Sequence, residues 1–507
     1  MLLRFCTHLF ALALGTGLLA ACAREPYGPA DARPLAQAAQ PLLIGADSVR
    51  GAAAGRYYDR HGALYQVLLG HHYRRVWAAP VAAPVLDPTR GAPGGGLLRP
   101  RKAGGGFQTI SLGLEGPDGR EYSLRALDKD PRKTLPPWLR RTFVLNAVRD
   151  ATSAGNPYAA LVVPPLAAAV GVRHGTPRLV YVRPDEAGLG ETSDRFRGRL
   201  ALLEEKASGR AAEVLSTQEM LARCAEDPGR AVDTPMFLRA RLLDLWLGDW
   251  DRHGKQWNWA AVRSAGGVRF EPIPKDRDQV FFRFDDGVLP LLVSWLVPKF
   301  QTFGPRFGNV RGLARQGRFL DRHALAPATG DDFLRAAAAM QRSLPDSLLA
   351  RAVRRLPPAV YALEGPRTLA ALQARRAALP VAAARYYRSL ARRPAVSGTA
   401  QAERFVVRRY PDSVAVAVYA APGAAGAAPF YRRTFRPAET RVLTLDGRGG
   451  SDAFDVYTAP GRVARLRLAV MGGPGPVRLT TSGSRQRILC EAGGVGHKHP
   501  HPSQTTR

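Results

Sequence analysis

Cysteine is scarce in this chain, with four residues in 507, and two of the four, Cys6 and Cys22, fall within the first 22 positions. The remaining pair, Cys224 and Cys490, lie far apart and lack metal-ligand spacing, so neither a disulfide framework nor a zinc site is expected. After residue 22 no apolar run is long enough to form a membrane-spanning helix. Clustered basic charge is also missing. Lys and Arg total 73 against 42 Asp and Glu, giving a formal net charge of +31, yet the arginines are scattered and no Lys/Arg block with interleaved aromatics occurs. Nucleic acid is therefore not the expected partner. What is present in quantity is apolar residues, at 46%, which is ample for a sizeable core. The length suits two to four domains.

The N-terminus has the three parts of a targeting segment. Arg4 supplies the positive charge, Leu9–Leu19 the apolar run, and Leu19-Ala20-Ala21-Cys22 a small-residue cleavage site. Cys22 stands where bacterial lipoproteins are acylated, so Met1–Cys22 resembles a lipoprotein signal. The resemblance implies a lipid on Cys22, a membrane as partner and, with Ala23 following, the outer membrane as location. Residues 23–41, rich in Ala and Pro, read as a flexible tether.

The stretch from Thr234 to Phe282 concentrates the chemistry. Thr234-Pro235 reads as a helix start, and Leu238, Leu242, Leu245 and Trp246 fall on one helical face that Gly248 ends. A crowded polar loop follows, with Asp249, Asp251, Arg252, His253, Lys255 and Gln256 in eight residues. Two strand-like segments, Trp257–Val262 and Val268–Ile273, form a hairpin through Ser264-Ala265-Gly266-Gly267. The hairpin runs directly into Pro274-Lys275-Asp276-Arg277-Asp278. In kinase-like folds the order helix, Asp loop, hairpin and second acidic site holds a nucleotide and its magnesium. Asp251 takes the place of the base, with Gln256 and Asp276 in the metal-binding positions, and oxygen ligands of this type suit Mg²⁺ or Mn²⁺. The competing reading pairs these acids with Arg252, Lys275 and Arg277 in a structural ion network.

The segment resembles atypical kinases of the HipA, CotH and phosphoinositide-kinase type, where a D-R-H-x-x-N loop precedes a hairpin and a further Asp. Gln256 stands where those families have Asn, and Asp276-Arg277-Asp278 looks like the D-x-D of CotH kinases, which implies that Asp278 assists in metal binding. The fold expected is α+β, a two-lobed atypical protein-kinase-like fold followed by a helical segment and a small C-terminal β domain. Its N-terminal lobe spans 42–185. There Gly104-Gly105-Gly106 enters a hairpin of Phe107–Leu114 and Glu121–Leu127, a place where backbone N–H groups can approach phosphates. Arg125 or Lys129 is the phosphate-contacting cation, with Asp150, near the end of a helix over Leu139–Ala154, as its orienting acid. In His71-His72-Tyr73, paired histidines point to different faces, so Tyr73 and Trp77 are expected to pack.

Val182–Glu191 reads as the linker into a C-terminal lobe over 186–393. Within it Leu200–Lys206 and Ser216–Arg223 are helical by period, and the apolar run Gly287–Trp295 is expected to pack beneath the site. Prolines divide 331–393 into four helices. A small β domain occupies 394–481, ahead of a disordered tail over 482–507 that carries His497, His499 and His501. Across roughly 42–470 the runs at Gly104, Leu124, Asn156 and the Asp251 loop also resemble a bacterial envelope family, whose longer members carry this module ahead of a BamA-like outer-membrane barrel. The two functions implied are a phosphotransferase using a metal-nucleotide and a silent kinase-like scaffold that contacts barrel proteins.

Overall fold

The computed structural model describes residues 48–54, 58, 61–91, 95–104, 109–206, 213–420, 428–460, 464–472, 477–482 and 488–491. Cys22, Gly105, Gly106 and the histidine-rich tail lie outside these residues. The described chain is mixed α/β and organised around three apolar cores. None of its helices is long and apolar enough to cross a membrane.

A short antiparallel pair opens the chain, β1 (Ser48–Gly51) with β2 (Val81–Pro84). Five antiparallel strands follow: β3 (Arg99–Gly104), β4 (Ser111–Glu115), β5 (Glu121–Ala126), β6 (Arg178–Val182) and β7 (Arg199–Glu205). Their order across the sheet is β3-β4-β5-β7-β6. Leu112, Leu114, Leu124 and Leu203 alternate onto its buried face, as a period of two requires. The helices Phe143–Asp150 and Val163–Ala169 lie between β5 and β6.

Two expectations change here. Leu200–Lys206 is not helical, because its good helix formers are claimed as β7 between β5 and β6, and tertiary pairing overrides local preference. The chain therefore does not leave the sheet at Val182–Glu191 but returns through it. The role of Gly104 also shifts. It is the last residue of β3 and pairs with Ser111, so it belongs to a strand ahead of β4.

The second body is built on the Thr234–Leu247 helix, which buries ten of its residues on all sides. Its N-cap is Asp233, whose side chain accepts from the Met236 N–H at 2.8 Å, while the Thr234 hydroxyl donates to the Ala324 carbonyl. Gly248 closes the helix at φ +73, a left-handed turn open to glycine. Four strands pack alongside: β8 (Val214–Ser216), β9 (Arg230–Val232), β10 (Trp257–Ser264) and β11 (Gly267–Pro274), in the order β8-β10-β11-β9. The helices Gly330–Ser343, Asp346–Val353, Pro358–Ala377 and Leu379–Ala391 complete this body. The run from Gly287 does form a helix, Val288–Leu296, but it does not pack beneath the site. Only Pro290 is buried, Val293 is half-buried, and Val288, Leu289, Leu291, Leu292, Trp295 and Leu296 are exposed.

The C-terminal β region is a coil of strands alternating between two facing sheets. One sheet holds β12 (Ala395–Ser397), β16 (Val442–Asp446), β18 (Arg467–Met471) and β20 (Ile488–Glu491), all parallel. The other holds β13 (Glu403–Arg409), β17 (Asp452–Thr458) and β19 (Val477–Ser482) in parallel, with β14 (Val414–Ala420) and β15 (Tyr431–Phe435) added as a hairpin. Phe405, Val416, Leu443 and Phe454 fill the space between the sheets. β20 lies beyond residue 481, so the first part of the expected tail is strand.

Candidate functional site

The loop after the Thr234–Leu247 helix is fixed from below by charge. Asp244 and Asp249 are fully buried, as are Arg241, Arg252 and Asp321. Arg241 bonds Asp244 at 2.7 Å and Asp321 at 2.7 and 3.1 Å. Arg277 reaches both Asp244 and Asp249, the latter at 3.0 Å. Arg252 sits 3.3 Å from Asp244 and donates to the carbonyls of Lys275 and Gln256 at 2.7 and 3.1 Å. Three guanidinium groups thus oppose three carboxylates. Such a set persists in a buried site only when mutually satisfied. The expected counter-ions Arg252 and Arg277 are structural, then, but their partners are Asp244, Asp249 and main-chain carbonyls, not the candidate catalytic acids.

The network anchors the Asp276-Arg277-Asp278 run. Arg277 is anchored inward on Asp244 and Asp249, while its neighbours Asp276 and Asp278 both line one cleft. Asp276 adopts φ +53, a left-handed conformation that Asp tolerates and that marks functional sites more often than others. Both carboxylates face a cleft of about 730 Å³, which is also lined by Arg125, Lys129, Asp251 and Gln256. Asp251 is about a quarter exposed, and its carboxylate lies 3.8 Å from the His253 ring. Gln256 ends a short 3₁₀ turn, Gly254–Gln256, its carbonyl tied to the Lys275 N–H.

The cation question resolves into a pair. Arg125, projecting from β5, bonds Asp276, and Lys129 bonds Asp278. Burial alone would lower the pKa of both bases, but Asp276 and Asp278 hold them above their usual range. Burial and the adjacent Asp278 carboxylate push Asp276 up. Asp278 is opposed by the same burial, yet Lys129 brings it below the ordinary carboxylate value. Asp150 does not belong to this site. It is 1% exposed and receives both arms of Arg74, because the helix that carries it turns its C-terminal end toward the Arg74–Ala78 helix and not toward the sheet. Gly104 is likewise absent from the lining of the cleft.

Three contributors carried no signal in the sequence. Glu204, on β7 beside Arg125, has its carboxyl raised by burial. Lys299 stacks over the Trp250 and Phe300 rings, 4.5 and 5.0 Å from their centres, on the Asp251 side of the cleft. At the opposite end Trp77, Pro157, Val163 and Leu202 form an apolar wall. Tyr73 and Trp77 are both core residues, as expected from their neighbourhood.

Oxygen ligands for a hard cation are available in Asp276, Asp278 and the Gln256 amide. No group of three or more His, Cys, Asp or Glu arranged for a metal occurs among the described residues. Two carboxylates and one amide oxygen would fit a cation that takes its remaining ligands from phosphate and water.

The buried network carries a pH signature. Burial pushes Asp249 up to about 7, with Asp244 adding to the rise and Arg252 and Arg277 opposing it. Between about pH 4 and pH 7 the folded chain holds a proton that the unfolded chain releases, so this group's stabilisation is complete at low pH and lost as pH rises through 7. Urea unfolding at pH 5 and pH 8 should show the Asp249→Asn variant losing less stability across that interval than the parent does.

No protein-family model matches the chain, and no curated protein matches it. Among solved structures, it is similar to the Helicobacter pylori proinflammatory kinase CtkA at 12% identity and a TM-score of 0.32, over 57% of this chain and 95% of that one. HipA of Shewanella oneidensis MR-1, solved with HipB and operator DNA, is similar at 15% identity and a TM-score of 0.23, over 55% of this chain and 65% of that one. Scores this low leave the functional reading to the geometry of the site itself.

Proposed function

We propose that the protein is a kinase-like phosphotransferase that uses a divalent metal and a nucleotide. The observation that carries this reading is the convergence, on one cleft, of two cations from the β5 region, one acid and one amide from the loop after the central helix, and two acids from beyond the hairpin. A bound metal-nucleotide would supply the phosphoryl group and the charge that offsets its transfer. Arg125 and Lys129 would hold the phosphates, and Asp276, Asp278 and Gln256 would offer oxygens to the metal. Asp251 accepts the proton of the acceptor hydroxyl. Trp77 and Val163 add apolar surface to the same cleft. Anchoring through a lipid on Cys22, at the outer membrane and near barrel proteins, belongs to the same proposal and rests on the leader sequence alone.

A second reading, a silent kinase-like scaffold in outer-membrane assembly, is favoured by two observations. Asp276 and Asp278 are each already neutralised by a cation of the chain, and Gln256 replaces the shorter amide. Nucleotide binding separates the two. With Mg²⁺ or Mn²⁺ and ATP at a hundred times the dissociation constant, the folded state should gain about 2.7 kcal/mol, seen as a rise in melting temperature. No shift at millimolar nucleotide with either metal refutes the phosphotransferase.

A further inference from the structure

The Val288–Leu296 helix is strongly apolar and largely exposed. Leu291, Leu292, Trp295 and Leu296 are 59, 50, 77 and 62% exposed, and no charged residue occurs from Gly287 to Pro298. Against it lies the Ala63–Leu69 helix, which buries none of its residues and exposes Leu64 and Val67 by 74 and 59%. The two are clamped together. A Cβ on Gly287 would come within 2.3 Å of the Gly70 nitrogen, so the backbones abut. The His72 N–H donates to Asp286 at 2.6 Å, and the His72 ring nitrogen sits 2.6 Å from the other oxygen of that carboxylate. His72 holds φ +47 to make this contact. An apolar face of this extent, built on a fixed pair of helices, marks an interaction surface.

Its neighbour supplies the charge. The segment after Pro298 packs on the Val310–Leu313 helix. A Cβ on Gly312 would lie 2.1 Å from the Pro298 carbonyl, and the Asn309 N–H donates to Gln301 at 2.9 Å. From there Arg311 on that helix, Arg315 on the 3₁₀ turn Arg315–Gly317, and Arg318 and Arg322 on the helix Arg318–Ala324 follow in a row along the chain, the first two exposed and the last two half-buried. Arg393 stands close enough to Arg318 and Arg322 to repel both. Asp321, the acid within this run, is turned inward to Arg241. Among the described residues no acid forms an ion pair with any of these five arginines. Phe319, on the same segment, is 55% exposed.

We propose that the paired apolar helices, with the adjoining arginine row, seat the protein on an anionic lipid bilayer. An uncharged helix with a tryptophan in its last turn settles at the boundary between headgroups and acyl chains, while arginines meet the lipid phosphates. Charge favours this occupant over an apolar protein groove, since a net charge of +31 draws the whole molecule toward an anionic surface. The contact is made by the folded body and does not depend on a lipid at Cys22.

Tryptophan quenching by brominated acyl chains tests it, using the full-length protein and vesicles of anionic phospholipid. The chain has seven tryptophans, so comparison with Trp295→Phe isolates one of them. We expect the parent to be quenched and the variant to lose most of that quenching while still floating with the vesicles. Arg315→Ala and Arg318→Ala should each weaken partitioning into anionic vesicles about fivefold, with no change on zwitterionic ones. Leu292→Ser, at an exposed position, should keep the parent's melting temperature and reduce binding. Flotation with Trp295 unquenched would mean a tether alone and overturn the proposal. So would a concentration-dependent dimer abolished by Leu292→Ser, or an oligonucleotide bound more tightly than the vesicles.

Discussion

Replacing Asp244 by alanine is expected to destabilise the fold by about 3–5 kcal/mol, the range for removing one partner from a buried ion set. Asp244 is inaccessible to solvent and faces Arg241, Arg252 and Arg277 at once. Without it, three guanidinium groups share two carboxylates in a site that water cannot reach. Burial opposes the charge on Asp244, yet Arg252, Arg277 and Arg241 hold its carboxyl below the usual range, so the native state depends on the ionised form. The urea midpoint should fall, and the cleft should suffer with it, because Arg277 sits between Asp276 and Asp278. An unchanged midpoint would mean that the network relaxes around the loss.

The second large effect divides labour among the acids of the cleft and rests on the proposed phosphotransferase. Asp251→Asn is expected to lower transfer by about 10²–10⁴-fold while leaving metal-nucleotide binding near the parent value, since it removes a proton acceptor and no metal ligand. Asp276→Asn is expected to abolish metal-dependent binding itself. Isothermal titration alongside single-turnover transfer distinguishes the two. Equal loss of thermal stability in both variants, with no change in ligand binding, would place both acids in a structural role.

What the sequence made readable was local. The central helix, its glycine cap and the β10–β11 hairpin follow from residues within a few positions of one another. Once these are formed, Asp251, Gln256 and Asp276 have little choice but to meet. Pro345, Pro357 and Pro380 stand at boundaries of the four helices across 330–391, whereas Pro366, expected to divide the run, lies inside the Pro358–Ala377 helix. What could not be read depended on distant partners. Asp150 had two cations nearby in sequence, but Arg74, 76 residues away, takes it. Arg241 finds Asp321 across 80 residues. Leu200–Lys206 has helical composition and becomes a strand because β5 and β6 lie on either side. A nine-residue apolar helix looks the same in sequence whether it is covered or bare, so the position of Val288–Leu296 could come only from the structure. The parallel coil of the C-terminal sheets was hidden for a similar reason, since short alternating strands do not declare which neighbour they will join.

The pairing of Arg125 with Asp276 and Lys129 with Asp278 makes this quartet within the cleft electrically balanced, two charges against two. A bare nucleotide arriving there would meet its cations already engaged, and a bare metal would find its carboxylates in the same state. Each on its own would have to break ion pairs and leave unmatched charges behind. Arriving together they can exchange partners, phosphate taking the two bases as metal takes the two acids, with every charge still opposed. The cleft would then behave as an ion exchanger that accepts only a matched pair. By thermodynamic reciprocity the metal would tighten nucleotide binding by the same factor that the nucleotide tightens the metal.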